Sequence, residues 1–252
     1  MHVHFLGVGE ACDPERFNTS LLVVSGSKNH YILLDCGFTT PHRYFADCSD
    51  SNQLDALWIS HFHGDHFFGI PLLLLRFWEM GRTEPLLLVG PTGLEEKVEK
   101  ILALAYPAFR EKLQYAVQYR ELEDGGSLQA AGFFWQVAAT EHSQPCLALR
   151  LSGGGKSLFY SGDGRPTLGS ADLAKGCTLL VQEAYRVVGE TANHGSLAEC
   201  LALAHQAGCE KLAIVHVAHY ERDREKVEIQ RLLRESGLPG AFLPEPGEQL
   251  SL

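Results

Sequence analysis

Ala56-Leu57-Trp58-Ile59-Ser60-His61-Phe62-His63-Gly64-Asp65-His66 is the stretch on which the reading of this chain turns. A mostly apolar run with strand character passes directly into four potential metal ligands within six positions. A strand locked into a sheet fixes the loop at its end, so side chains there keep their angles. His61 and His63, two apart, project to the same side of extended backbone. Gly64 permits a tight change of direction that turns Asp65 and His66 toward a second point. Imidazole nitrogens with a carboxylate suit zinc, or iron and manganese where oxygen ligands are more numerous. One histidine alone is ordinarily a satisfied surface or core residue, but four potential ligands at this spacing beside a strand point to a metal site.

The same construction recurs downstream. Residues 137–140 run toward His142, 157–160 toward Asp163 between two glycines, 178–182 into Glu183, and 211–215 into His216. A single turn aspartate means little. Ligand-type residues at the ends of successive strands mark a site along one rim of a sheet. Runs 3–7, 20–24 and 30–35 also read as strands, punctuated by Gly7, Gly9, Asp13-Pro14 and Gly37. Pro71 and Gly81 bracket a buried helix over 71–80, and 85–89 reads as the next strand.

Thr92-Gly93-Leu94-Glu95 predicts a capping box opening a helix to about Ala105, and Ser196-Leu197-Ala198-Glu199 predicts a second, running to Gly208. Strand-like runs resume over 115–140, around the Asp124-Gly125-Gly126 turn. Residues 147–151 and the Gly153-Gly154-Gly155 turn predict a hairpin. Residues 222–236 read as one charged helix that buries Val227, Ile229, Leu232 and Leu233. No linker or low-complexity stretch interrupts 1–252, which predicts a single α+β domain with sheets inside and helices outside.

The chain of 252 residues can bury a sizeable core, and 45% hydrophobic with 21% charged residues excludes a disordered chain. Its opening seven residues lack a basic stretch and a long apolar run, so a cytoplasmic protein without a secretion signal is expected. The most apolar stretch, 70–78, is too short to span a bilayer. The seven scattered cysteines contain no C-x-x-C and read as reduced, mostly buried small hydrophobes, Cys36 and Cys146 near the site loops included. His30 and His42 have no ligand-like neighbours and read as structural. A net charge of -10 opposes stable nucleic-acid binding, which is largely electrostatic.

His61-x-His63-x-Asp65-His66 resembles the defining motif of the metallo-β-lactamase superfamily. Phe5-Leu6-Gly7-Val8-Gly9 with Phe17-Asn18-Thr19-Ser20 resembles the opening loop of its tRNase Z-like (ribonuclease Z-like) branch. Residues 140–145 around His142 resemble the segment of the third histidine, and 160–166 the S-G-D-T-R-P segment holding a bridging aspartate. Gln182-Glu183-Ala184-Tyr185 and His194-Gly195-Ser196 are similar to the branch's H-E-A-T and H-S-T segments.

The resemblance implies a four-layer αβ/βα sandwich with two divalent metal ions, zinc first and manganese or iron as alternatives. It implies that His61, His63 and His142 bind one metal, that Asp65, His66 and His216 bind the other, and that Asp163 bridges them. It further implies a metal-dependent hydrolase, with a hydroxide shared between the metals as nucleophile for attack on phosphorus. Asp65 could orient that hydroxide, and Glu183 with His194 would protonate the leaving alkoxide. Dimers are common in the branch, so the resemblance allows a homodimer.

Three departures bear on substrate. Only 20 residues separate His142 from Asp163, which leaves no room for the tRNA-gripping flexible arm. The segment 13–18 carries acids where the branch has a tRNA-contacting lysine. Gly164 replaces a threonine, and His216-Val217-Ala218-His219-Tyr220 departs from the usual residues after the last ligand, with His219 either contacting substrate or covering the site. A phosphodiesterase acting on a small or cyclic phosphodiester therefore fits better than a tRNA 3′-end processing endonuclease. Hydrolysis of another ester, thioester or sulfate ester, and ligand binding without turnover, are the competing readings.

Overall fold

Two seven-stranded sheets face each other in the computed structural model, which describes residues 1–252 except Lys28, Ser49, Asp50, Glu190 and Pro239, and Ser51 by its backbone alone. The first sheet contains β1 (His2–Gly7), β2 (Ser20–Val24), β3 (Tyr31–Leu34), β4 (Ala56–Trp58), β5 (Leu86–Pro91) and β6 (Val117–Leu122). The second is built from β7 (Ser127–Ala130), β8 (Phe133–Ala139), β9 (Leu147–Gly153), β10 (Lys156–Tyr160), β11 (Leu179–Glu183), β12 (Lys211–Val215) and β13 (Ala241–Phe242). The last strand, β14 (Gln249–Ser251), returns to the first sheet beside β1. The orders are β14-β1-β2-β3-β4-β5-β6 and β13-β12-β11-β10-β9-β8-β7. In each sheet one half is antiparallel and the other parallel: β3 to β6 in the first, β10 to β13 in the second.

The strands are apolar on both faces because both faces are covered. On β2, Leu21 and Val23 point between the sheets while Leu22 points outward; on β3, Ile32 and Leu34 point inward and Leu33 outward. The shared layer also contains Phe5, Trp58, Trp135, Leu149, Tyr160 and Val181, with the Trp58 and Trp135 rings 6.3 Å apart. Truncating a fully buried tryptophan there to alanine would cost about 3–5 kcal/mol, because the cavity cannot collapse.

Helices cover the outer faces. Helices α1 (Thr40–Asp47), α2 (Gly64–Phe67), α3 (Ile70–Glu79) and α4 (Leu94–Ala105) supply residues to the layer over the first sheet. Helices α5 (Leu168–Ala174) and α6 (Leu197–Ala207) lie over the second, followed by α7 (His219–Arg224) and α8 (Lys226–Glu235). The result is the expected four-layer αβ/βα sandwich.

Two local expectations are corrected. The Thr92 capping box does not form: Gly93, in left-handed backbone, stands at the N-cap of α4 with no side-chain cap. The carboxylate of Glu121 on β6 instead accepts from Gly93 N (2.9 Å) and Glu95 N (3.1 Å). A residue distant in sequence satisfies the exposed amides, and no local pattern could show that.

Residues 222–236 are not one helix, since α7 ends and α8 begins at Glu225. The reason lies in what each helix buries. Helix α7 buries two charges, with Glu221 accepting from Val187 N (2.6 Å) and Arg222 donating to Pro244 O. Helix α8 buries Ile229 against the outer apolar layer, where Leu232 and Leu233 are partly buried, while Val227 is 78% exposed rather than buried. The Ser196 capping box, by contrast, forms as expected, with both reciprocal hydrogen bonds present.

Candidate metal centre

Every ligand-type residue picked out at a strand end lies at one rim, where the carboxyl ends of the parallel strands of both sheets meet. The first sheet contributes His61, His63, Asp65 and His66 from the loop after β4 and from α2. The second contributes His142 after β8, Asp163 after β10 and His216 after β12. Locking β4 between β3 and β5 holds His61 in place, and the ring nitrogens of His61 (Nε2) and His63 (Nδ1) lie 3.1 Å apart. His142 Nε2 is 3.2 Å from the same His63 nitrogen. On the other side, Asp65 Oδ2 lies 3.3 Å from both His66 Nε2 and His216 Nε2.

Asp163 stands between the two groups and turns a different oxygen to each. Its Oδ2 lies 3.7 Å from His61 Nε2 and 4.0 Å from His142 Nε2. Its Oδ1 lies 3.4 Å from His66 Nε2 and 3.6 Å from His216 Nε2. Ligand atoms about 2.1 Å from a tetrahedral cation are separated by about 3.4 Å, so these spacings match two cation positions that share one carboxylate. Two buried atoms support the fit, because His66 Nε2 and Asp163 Oδ1 have no hydrogen-bond partner. A buried polar atom left unpaired is costly, and a cation between such atoms removes that cost. The two clusters His61-His63-His142-Asp163 and Asp65-His66-His216 could thus each hold a divalent metal.

Electrostatics divides the histidines. Burial and the neighbouring imidazole of His66 keep His61 well below its ordinary pKa, and burial and His142 lower His63. Burial also opposes charge on His66, but Asp163, Asp35 and Asp65 outweigh it and raise that pKa. His216 is raised to about 9, mainly by Asp163 and Asp65 against the cost of burial. Those imidazoles in turn hold the carboxyls of Asp65 and Asp163 well below the usual range despite burial. Both carboxylates are therefore ionised and ready to bind a cation, which would displace protons from His66 and His216.

Sequence reasoning missed Asp35. Its fully buried carboxylate accepts from Ser60 N (2.7 Å), Ser60 Oγ (2.7 Å) and Tyr160 OH (2.6 Å), and faces His66 Nδ1 at 2.7 Å. Ser60 Oγ also lies 3.0 Å from His61 Nδ1. One carboxylate thus orients a histidine of each cluster, directly for His66 and through Ser60 for His61. The only local signal was its place directly after β3, a carboxylate following an apolar strand. Asp35 and His216 both adopt left-handed backbone, at φ 58° and 59°, which costs energy in residues other than glycine and concentrates at functional sites.

Glu183 and His194 lie beside the cluster. The buried Glu183 carboxylate accepts from three backbone amides, Gly164 N (2.9 Å) and Gly195 N (2.7 Å) at Oε1 and Tyr185 N (2.9 Å) at Oε2. It therefore ties the Asp163 loop to the His194 loop. His194 Nδ1 is 3.3 Å from Glu183 Oε1, outside hydrogen-bond alignment. The His194 ring stacks parallel to that of His216 at 5.8 Å and meets the His142 ring edge-on at 4.9 Å. His219 stands at the start of α7, with Nδ1 2.6 Å from Glu10 Oε1. Cys36 and Cys146 are buried, and burial pushes both thiols up and out of reach of nucleophilic chemistry. No helix among the described residues is long and apolar enough to cross a membrane.

The chain is similar to known proteins along nearly its whole length. The family described as anti-Pycsar protein Apyc1 matches residues 1–236. Ribonuclease Z of Methanosarcina acetivorans is 26% identical over 290 aligned positions, which cover 94% of this chain and 92% of that protein. Among solved structures, the metallo-β-lactamase fold protein YhfI from Bacillus subtilis superposes with a TM-score of 0.81 at 22% identity, covering 99% of this chain and 98% of that one. The short form of human tRNase Z gives 0.81 at 20% identity, covering 100% and 99%. The chain therefore belongs to the anti-Pycsar protein Apyc1 family, within the ribonuclease Z-like branch of the metallo-β-lactamase fold, and is a metal-dependent hydrolase.

Proposed function

We propose that this chain is a phosphodiesterase for a small or cyclic phosphodiester, with two divalent cations, zinc first, held by His61, His63 and His142 on one side, Asp65, His66 and His216 on the other, and Asp163 between them. The observation that carries the reading is the Glu183–His194 pair at the edge of the metal cluster, an imidazole beside a buried carboxylate and next to His142 and His216. Cations bound there supply a clamp on the phosphate oxygens and an acidified water near neutral pH. The ionised Asp65 accepts a hydrogen bond from the attacking water and orients it. Glu183 holds the His194 loop, with Nδ1 turned toward its carboxylate. That leaves His194 Nε2 to give a proton to the departing alkoxide as the phosphorus–oxygen bond breaks. A linear substrate gives a phosphomonoester and an alcohol, a cyclic one gives a single ring-opened hydroxy phosphomonoester, and the partly exposed His194 regains its proton from solvent.

Size and charge favour a small substrate. Between His142 and Asp163 the chain forms only the β9–β10 hairpin, and no arm projects from it. The alignment with the Methanosarcina relative runs over more positions than this chain has residues, so that relative carries insertions absent here. In the loop before β2, the one cation, Arg16, is engaged by Asp13, Asp223 and Glu245, leaving no free positive charge for a polyanion. The relatives named ribonuclease Z favour the second reading, cleavage of a tRNA precursor. The test is side-by-side assay of bis(p-nitrophenyl) phosphate, cyclic phosphodiesters and a tRNA precursor with a 3′ trailer, each with zinc, manganese and iron. Turnover of the small substrates but not the precursor is expected. Cleavage of the precursor alone would establish the second reading instead.

A further inference from the structure

The two connections leading into β11 and β12 are near copies of one another. Each leaves a helix or turn through a glycine in left-handed backbone, Gly176 at φ 63° and Gly208 at φ 62°. Each then places a cysteine two residues before the strand, as Gly176-Cys177-Thr178-Leu179 and Gly208-Cys209-Glu210-Lys211. The strands pair in parallel with Leu179 opposite Lys211, so the same offset sets Cys177 opposite Cys209. Backbone bonds continue through this region, from Lys211 N to Thr178 O (3.1 Å) and from Glu210 N to Cys177 O (3.2 Å). Neighbouring strands lie about 4.8 Å apart, within the roughly 4.4–6.8 Å between Cα atoms that a disulfide spans. The two thiols lie near enough to influence one another, and Cys209 Sγ donates to Ala204 O (3.7 Å). Cys177 is buried and Cys209 is partly exposed.

We infer that Cys177 and Cys209 form a redox-active dithiol, remote from the metal centre, that closes to a disulfide on reaction with a small-molecule disulfide such as oxidised glutathione. The more accessible Cys209 reacts first. Its thiolate bonds to one sulfur of the small disulfide, whose sulfur–sulfur bond breaks and releases one thiol. Cys177 then bonds to Cys209 Sγ, the mixed disulfide breaks, and the proton of Cys177 leaves with the second released thiol. Two protein thiols are oxidised and one small disulfide is reduced to two thiols. The order follows from access, since Cys209 is partly exposed whereas Cys177 is buried and can react only with a sulfur already held beside it. The cross-link would join the roots of the strands whose far ends carry Glu183 and His216.

Incubation of the full-length, metal-loaded protein with oxidised glutathione, followed by intact mass and peptide mapping under denaturing, thiol-blocking conditions, tests this. The expected result is loss of two hydrogens, two fewer titratable thiols than the seven cysteines present, and a Cys177–Cys209 peptide that reductant reverses. Cys177→Ala should instead retain one glutathionyl group on Cys209, and Cys209→Ser should leave Cys177 unmodified. An unchanged thiol count, a cross-link between a different pair, or no adduct on Cys177→Ala would overturn the inference. The mapping of the unmutated protein decides even if a variant fails to fold.

Discussion

Asp35 Oδ2 and His66 Nδ1 lie 2.7 Å apart, and this fully buried contact fixes which nitrogen of His66 faces the metal cluster. Ser60 N, Ser60 Oγ and Tyr160 OH complete the coordination of the Asp35 carboxylate. Replacing Asp35 by asparagine keeps the shape, removes the charge, and turns an amide N–H₂ toward groups that need an acceptor. Zinc affinity should fall about 10–100-fold, the usual effect of losing such a supporting carboxylate. A competition titration with a chromophoric chelator measures this. Affinity within twofold of the unmutated protein would show that the contact does not position the ligand.

Glu183 and His194 should separate by what they lose. Glu183→Ala strands three backbone amides, those of Gly164, Tyr185 and Gly195. Each buried unpaired donor costs about 1–3 kcal/mol, so this variant should lose several kcal/mol of stability in chemical denaturation together with turnover.

His194→Ala removes the proposed proton donor and should leave stability nearly unchanged. Its effect depends on the leaving group. Cleavage that expels an ordinary alkoxide should slow about 10²–10⁴-fold, whereas p-nitrophenolate leaves without a proton and should be released at close to the original rate. An equal loss on both substrates would remove His194 from the acid role.

The metal-free protein should be most heat-stable near the ordinary histidine pKa of about 6.5. His216, raised to about 9, and His66, also raised, hold protons in the folded state that the unfolded chain has released above that value, so stability falls as pH rises through about 9. His61 and His63 are lowered, so stability also falls as pH drops and the unfolded chain takes up protons that these two refuse. At lower pH still, protonation of Asp65 and Asp163 adds to that loss. Melting temperature against pH on chelator-treated protein checks both limbs. Metal loading should abolish the alkaline limb, because the cation replaces those protons.

The fold and most of the centre were legible because both are written in local pattern. Apolar runs ending in His61, Asp163, Glu183 and His216 announced strands that share a rim, and β2 appears over the residues read for it. What escaped depends on residues far apart in sequence. Asp35 looked like the polar end of a strand, and only the fold brings it to His66 and Tyr160. Helix α5, capped by Thr167 and Ser170, is too short to declare an apolar stripe. The cap of α4 comes from Glu121 on β6, so Glu121→Ala should cost about 1 kcal/mol by thermal denaturation, and Thr92→Ala almost nothing.

The most direct test is metal analysis joined to turnover on one preparation. Protein reconstituted with zinc should bind two ions per chain, hydrolyse a small phosphodiester, and lose both the shared-site stoichiometry and the activity on Asp163→Ala. Two bound ions with no hydrolysis under zinc, manganese or iron, or undiminished hydrolysis by Asp163→Ala, would contradict the account.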